Sequence, residues 1–220
     1  MPSLPCIAVM AKRPQPGRVK TRLAASLGGG VAALLSEAFL RDTLRAMRSQ
    51  TGAERCLYVT PASSEPWFAA LDPDAQLLVQ PELEFGARLA AGFGALFDAG
   101  LGPVIFVGAD MPHLTPELLD EAFDALTRSD VVLGPCDDGG YYLIGLAAER
   151  PRLFDGVRWS TPETLSDTVA RAEAHGLSVH LTAESFDVDE IDDLRRLAAL
   201  EDLADRCPST AAALESVDLG

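Results

Sequence analysis

Two apolar runs, "DVVLGPC" at 130–136 and "GYYLIGLA" at 140–147, are separated by little more than Asp137, Asp138 and Gly139. A connection that short joins only antiparallel strands, because a parallel crossover needs roughly a dozen residues. The rest of the chain reads differently. Apolar runs at 4–11, 55–60, 75–80, 102–110 and 177–182 alternate with segments whose apolar residues recur at helical spacing, such as Val31 to Met47. Thr115-Pro116-Glu117 and Thr161-Pro162-Glu163 both have the form of a helix start. Strand and helix in alternation predict a mainly parallel sheet covered on both faces. The tight turn then requires one reversed strand within it. The expected class is α/β, a single Rossmann-like domain of three layers, α/β/α, with a mixed, mainly parallel sheet. The chain has 220 residues, which suits one core. That domain is expected over residues 1–206, with a tail at 207–220 that forms at most one short helix.

Charge narrows the range of ligands. The formal net charge is −15, which speaks against nucleic acid as a partner. It is unevenly spread: residues 1–60 carry 9 Lys and Arg against 3 Asp and Glu, and the remainder carries 9 against 30. A basic segment on an acidic protein fits a small anion better than a long polyanion. The four cysteines form no C-x-x-C pair, so they read as free thiols of a reducing compartment. The first residues lack the pattern of a signal peptide, and no apolar stretch is long enough to span a bilayer. The expected location is the cytoplasm, with no membrane partner.

Three unusual segments fall at the ends of expected strands, where open α/β sheets bind their ligands. The first is "AKRPQPGRVKTRLA" at 11–24. Its candidates for holding phosphate are Lys12, Arg18, Lys20 and Arg22, positive charges on a path made irregular by proline and glycine. It is neither a P-loop nor a dinucleotide fingerprint. The second is "VGADMPHL" at 107–114. A carboxylate at the end of a buried strand needs a partner, and Asp110 is the candidate ligand for Mg²⁺ or Mn²⁺, which take hard oxygen donors and bridge to phosphates. His113 could be a further ligand, although a lone turn histidine is more often structural or solvated. The third is "FDVDEIDDL" at 186–194, where Asp187 or Asp189 supplies a second metal ligand, or Asp189 caps the following helix with Asp192 as its partner.

The acidic turn itself holds more than a hairpin requires. Asp138-Gly139 can turn the chain, which leaves Asp137 and Gly140 for another task. Asp137 and Asp138 are the candidate catalytic carboxylates. Gly139, Gly140 and Tyr141 are candidates for substrate contact, with one of Tyr141 and Tyr142 expected in the core. Trp159 lines the acceptor side or belongs to the core. No H-E-x-x-H and no G-x-S-x-G motif is present.

Taken in order, "AKRPQPGRVKTRLA", "GADMPHL", "VVLGPCDDGGYYLIGL", "FDGVRWST" and "DVDEIDDL" resemble a bacterial family of GT-A-type glycosyltransferase-like proteins. Its members are described as nucleotide-diphospho-sugar transferases, some of them assigned to arsenosugar biosynthesis. The resemblance extends to cofactor guanylyltransferases, through the K-x-R-L element at Lys20 to Leu23. It implies a Rossmann-like GT-A domain and places Asp110 at the metal-binding aspartate, with Gly108 where the D-x-D pattern has its other acid. The implied reaction is metal-dependent glycosyl transfer from a nucleotide-diphosphate sugar to a small acceptor. The alternatives are nucleotidyl transfer from a nucleoside triphosphate with release of pyrophosphate, or nucleotide binding without catalysis.

Overall fold

The computed structural model describes residues 3–219; Met1, Pro2 and Gly220, which fall within the ranges 1–206 and 207–220 above, lie outside the described residues. In chain order the elements are β1 (Leu4–Lys12), α1 (Thr21–Leu27), α2 (Gly29–Arg48), β2 (Glu54–Thr60), α3 (Glu65–Leu71), β3 (Gln76–Val79) and α4 (Phe85–Asp98). They continue with β4 (Leu101–Gly108), α5 (Pro116–Leu126), β5 (Val131–Pro135), β6 (Tyr141–Leu146), α6 (Thr164–Ala174) and β7 (Val179–Leu181). The last three are α7 (Ile191–Ala198), α8 (Leu203–Arg206) and α9 (Pro208–Leu214).

The strands form one sheet in the order β3-β2-β1-β4-β6-β5-β7. Among the described residues only β6 is reversed: it lies antiparallel between β4 and β5, and the other pairings are parallel. This is the mixed sheet that the short 136–140 turn requires. Because β6 runs backwards, its first residue stands beside the ends of β4 and β5. The turn is thereby delivered to the same sheet edge as the loops after β1 and β4.

The central strands are apolar on both faces. Along β1, Ile7, Val9 and Ala11 join one core with Leu40, Leu44, Met47 and Leu119. Cys6 and Ala8 face the opposite core, with Leu89, Phe93 and Phe106. That is the period-two division expected of a strand between two helical layers. A third, smaller core joins Leu23 of α1, Leu35 and Phe39 of α2, and Phe186, Val188, Leu194 and Leu197. It locks the segment after the basic loop against the segment after β7. A backbone bond from Val188 N to the Asp110 carbonyl, 2.9 Å, ties the same region to the end of β4. The tail is docked too: Asp42, buried on α2, accepts the N–H groups of Ser209 and Thr210 and the Thr210 hydroxyl at 2.7–3.0 Å.

Several local expectations shift. The basic segment is not all loop, since α1 begins at Thr21. Asp110 lies beyond β4 rather than within it. Thr115 caps α5, its side chain accepting from Leu118 N. The similar Thr161-Pro162-Glu163 does not start α6. Ser160 is held at φ 58°, and the Thr161 and Thr164 hydroxyls both donate to the Arg158 carbonyl, so this stretch turns before the helix begins at Thr164. Asp189 is not the cap of α7. Glu190 caps it, in a reciprocal box with Asp193, because the Lys20 ammonium holds Asp189 instead.

Candidate active site

Lys20 sits at the centre of the site. Its backbone is left-handed, φ 46° and ψ 50°, at the last residue before α1. This places the ammonium between Asp110 Oδ1, at 2.6 Å, and Asp189 Oδ1, at 2.8 Å, with its side chain only 3% exposed. Burial alone would lower the lysine's proton affinity, but the two carboxylates outweigh it and the ammonium is held in its charged form. Two carboxylate oxygens that share one cation are already positioned around a common point. Arg22 reaches towards the same group, 3.8 Å from Asp189 and 3.7 Å from Glu190.

Asp187 lies beside this pair. Its Oδ1 is buried with no hydrogen-bond partner. Burial, then the Asp110 carboxylate, pushes its proton affinity up to about pH 7, against the pull of Lys20. The donor set of Asp110, Asp187 and Asp189 fits a small hard divalent cation, which takes one or two carboxylates together with phosphate oxygens. Among the described residues, no three Asp, Glu, His or Cys side chains converge as a ready-made metal cage.

A cleft runs along the strand ends in adjoining spaces. One, of about 400 Å³, is basic: Lys12, Arg18, Lys20 and Arg22 line it, with Asp110 and Asp189 on its inner wall. All four basic candidates from the sequence therefore meet in one place. Sequence reasoning missed Gln80 and Arg88, which line the same space. Gln80 is fixed by a 2.6 Å bond from its Nε2 to the Tyr58 carbonyl, and its Oε1 accepts from Arg88 at 3.3 Å. A second space, of about 420 Å³, is lined by Arg22, Asp138, Gly140, Tyr141, Trp159, Asp187 and Asp189. Phe85, partly exposed at the start of α4, borders both. Its ring lies 4.8 Å from that of Trp159.

The acidic turn divides its duties. Asp138 Oδ1 accepts the Gly140 N–H at 2.8 Å, bracing the turn, and its residue lines the second lobe. Asp137 is not in the cleft walls: its carboxylate forms a short ion pair with Arg196 of α7. Arg196 in turn stacks on Phe186, 3.8 Å from its ring centre. Asp137 thus anchors α7 to the turn, contrary to a catalytic position. Gly139 is also structural. It has φ 86°, and a Cβ there would come within 2.1 Å of the Pro162 carbonyl oxygen. Tyr142 is the core tyrosine, bonded to Thr182 and Ala183, while Tyr141 faces the cleft. His113 is buried against Phe186 with Nε2 3.0 Å from Ser185 Oγ, in keeping with a structural role.

The fold is of the nucleotide-diphospho-sugar transferase type, and in this chain a cluster of acids and bases lies beyond the carboxyl ends of its mixed sheet. Residues 43–161, more than half of the chain, match the family described as "Uncharacterized protein conserved in bacteria (DUF2064)", and the chain belongs to that family. The chain is also similar to a protein of Desulfovibrio desulfuricans G20 whose crystal structure is provisionally named a nucleotide-diphospho-sugar transferase. The two are 32% identical, with a TM-score of 0.89 over 97% of this chain and 95% of that one. A curated relative, phosphoenolpyruvate guanylyltransferase of Chloroflexus aggregans, is 28% identical over 89% of this chain and 97% of its own length. Rv0371c of Mycobacterium tuberculosis H37Rv, crystallised with manganese, shares the fold at 20% identity and a TM-score of 0.55, over 89% of this chain and 98% of that one. Among the described residues, no helix is long and apolar enough to cross a membrane.

Proposed function

We propose that this chain transfers a glycosyl group from a nucleotide-diphosphate sugar to a hydroxyl of a small acceptor, with Mg²⁺ or Mn²⁺ as cofactor. The observation that carries this reading is the position of Asp110 and Asp189, paired around Lys20 where a basic lobe meets an aromatic, acidic one. Lys12, Arg18, Lys20 and Arg22 bind the diphosphate. Asp110 and Asp189 would hold the metal in place of the Lys20 ammonium that they now share, which would free that ammonium for the diphosphate; bound there, the ion would offset the charge of the departing diphosphate. Asp187 stands on the acceptor side of that pair. In the transfer, the bond from the sugar's anomeric carbon to the diphosphate oxygen breaks and a bond to the acceptor oxygen forms. The acceptor proton passes to a carboxylate of the second lobe, Asp138 or Asp187, and the nucleoside diphosphate leaves.

The guanylyltransferase relative, which aligns along nearly its whole length, favours a second reading: nucleotidyl transfer from a triphosphate with release of pyrophosphate. One assay separates the two. The protein is incubated with nucleotide sugars or nucleoside triphosphates and Mn²⁺, and nucleoside diphosphate and pyrophosphate are both measured. Diphosphate from a nucleotide sugar is the expected product. Pyrophosphate from a triphosphate, with no turnover of any nucleotide sugar, would replace the first reading with the second. The donor itself should show in thermal unfolding, since a ligand at about 100 times its dissociation constant adds roughly 2.7 kcal/mol.

A further inference from the structure

The second lobe is lined mainly by acids. Asp138, Asp187 and Asp189 stand on its walls, and Arg22 is the cation there. Arg22 also lines the basic lobe and reaches towards Asp189 at 3.8 Å and Glu190 at 3.7 Å, so its one charge is shared with the donor side and does not offset the carboxylates here. Asp187 Oδ1 is buried without a hydrogen-bond partner and is open to a polar group of a ligand. Tyr141 and Trp159 also line the lobe, their rings edge to face at 6.3 Å. Trp159 is held in place from behind: a Cβ on Gly86 would come within 2.6 Å of its indole nitrogen. Rigid rings beside carboxylates recognise a compound with apolar C–H faces and hydroxyl donors. The same carboxylates repel phosphate and carboxylate groups.

We infer that this lobe takes, as the acceptor, a polyhydroxylated ring compound without phosphate or carboxylate groups, either uncharged or amino-bearing. The inference rests on the reading of the basic lobe as the donor site. It separates this chain from its guanylyltransferase relative, whose name specifies phosphoenolpyruvate, a compound bearing both excluded groups.

The chain has two tryptophans, so Trp67→Phe leaves Trp159 as a fluorescent reporter inside the lobe. That variant, with and without a stabilising nucleotide, is titrated at constant ionic strength with methyl glucoside, methyl riboside and glucosamine. Glucose 6-phosphate and phosphoenolpyruvate form the opposing set. Calorimetry on the unaltered protein repeats each titration without relying on the variant. The uncharged and amino compounds should perturb Trp159 saturably, at concentrations at least tenfold below the phosphorylated ones, and Asp138→Lys should narrow that gap. Equal or tighter binding of phosphoenolpyruvate or glucose 6-phosphate overturns the inference. So does the absence of any response to the uncharged and amino set up to roughly ten millimolar while nucleotide still binds. Failure of every nucleotide to bind would count against the donor reading alone, because the preference of the lobe is read in the nucleotide-free titration as well.

Discussion

At the scale of single residues, the carboxylates differ in what surrounds them, and that sets what each substitution does. Asp110 is half-exposed and faces Lys20. Asn at this position keeps the size and one oxygen for the ammonium, so the fold should survive with a nearly unchanged melting temperature. Transfer should fall about 100-fold or more, the loss seen when one charge-stabilising group is removed from a reacting centre. Unaltered turnover in Asp110→Asn would take this residue out of the mechanism. His113 permits a prediction about stability. Burial first, then Arg206 and Arg196, lowers its pKa from 6.5 to about 4. The folded state therefore resists a proton that the unfolded state accepts. Stability from this group is full above about pH 6.5 and is lost as pH falls towards 4, a change of about 3 kcal/mol across that window. Urea unfolding of the wild type between pH 7 and pH 4 should show this slope, and His113→Gln should flatten it. Parallel slopes for the two proteins would mean that other groups govern the acid side.

At the scale of elements, the turn between β5 and β6 is where chain geometry and site geometry meet. Gly139 and Gly140 look interchangeable in sequence but are not in space. At Gly139 an added Cβ would collide with the backbone of Pro162 in a left-handed conformation, whereas at Gly140 it would approach only the flexible carboxylate of Asp138, at 3.1 Å. Gly139→Ala should cost about 3 kcal/mol or more in chemical unfolding, and Gly140→Ala clearly less. Similar losses for both would argue that the loop after Trp159 yields freely. This contrast shows what was legible in the sequence. The reversed strand could be read, because turn length and apolar runs are local signals. So could the Thr115 cap. Asp137 could not, because its partner Arg196 lies 59 residues away. Nor could Gln80 and Arg88: only the sheet order, which sets β2 between β3 and β1, brings the end of β3 and the start of α4 to the basic loop. In sequence Asp189 has the form of a helix cap, because Asp-rich helix starts look alike; its role depends on Lys20, far earlier in the chain.

At the scale of the whole molecule, the protein holds a basic lobe within a body whose formal net charge is −15. An anionic donor approaches a surface that repels it at long range and attracts it only close to Lys12, Arg18, Lys20 and Arg22. Added salt screens both effects, with a Debye length of about 10 Å at 0.1 M and about 3 Å at 1 M. The two differ in range, so they respond differently. Contacts in the lobe are short, while repulsion from the body acts over longer distances and is screened first. Moderate salt should therefore raise the association rate of a nucleotide. High salt should mainly speed its dissociation, more so for a triphosphate than for a nucleotide sugar of lower charge. Stopped-flow binding between 20 mM and 1 M salt would separate the two phases. Replacing Lys12 and Arg18 together by Gln should weaken affinity and reduce the high-salt response, while leaving the low-salt rise in association rate in place. A double variant that binds nucleotide as the wild type does, with the same response at every salt concentration, would show that the phosphates lie elsewhere on the molecule.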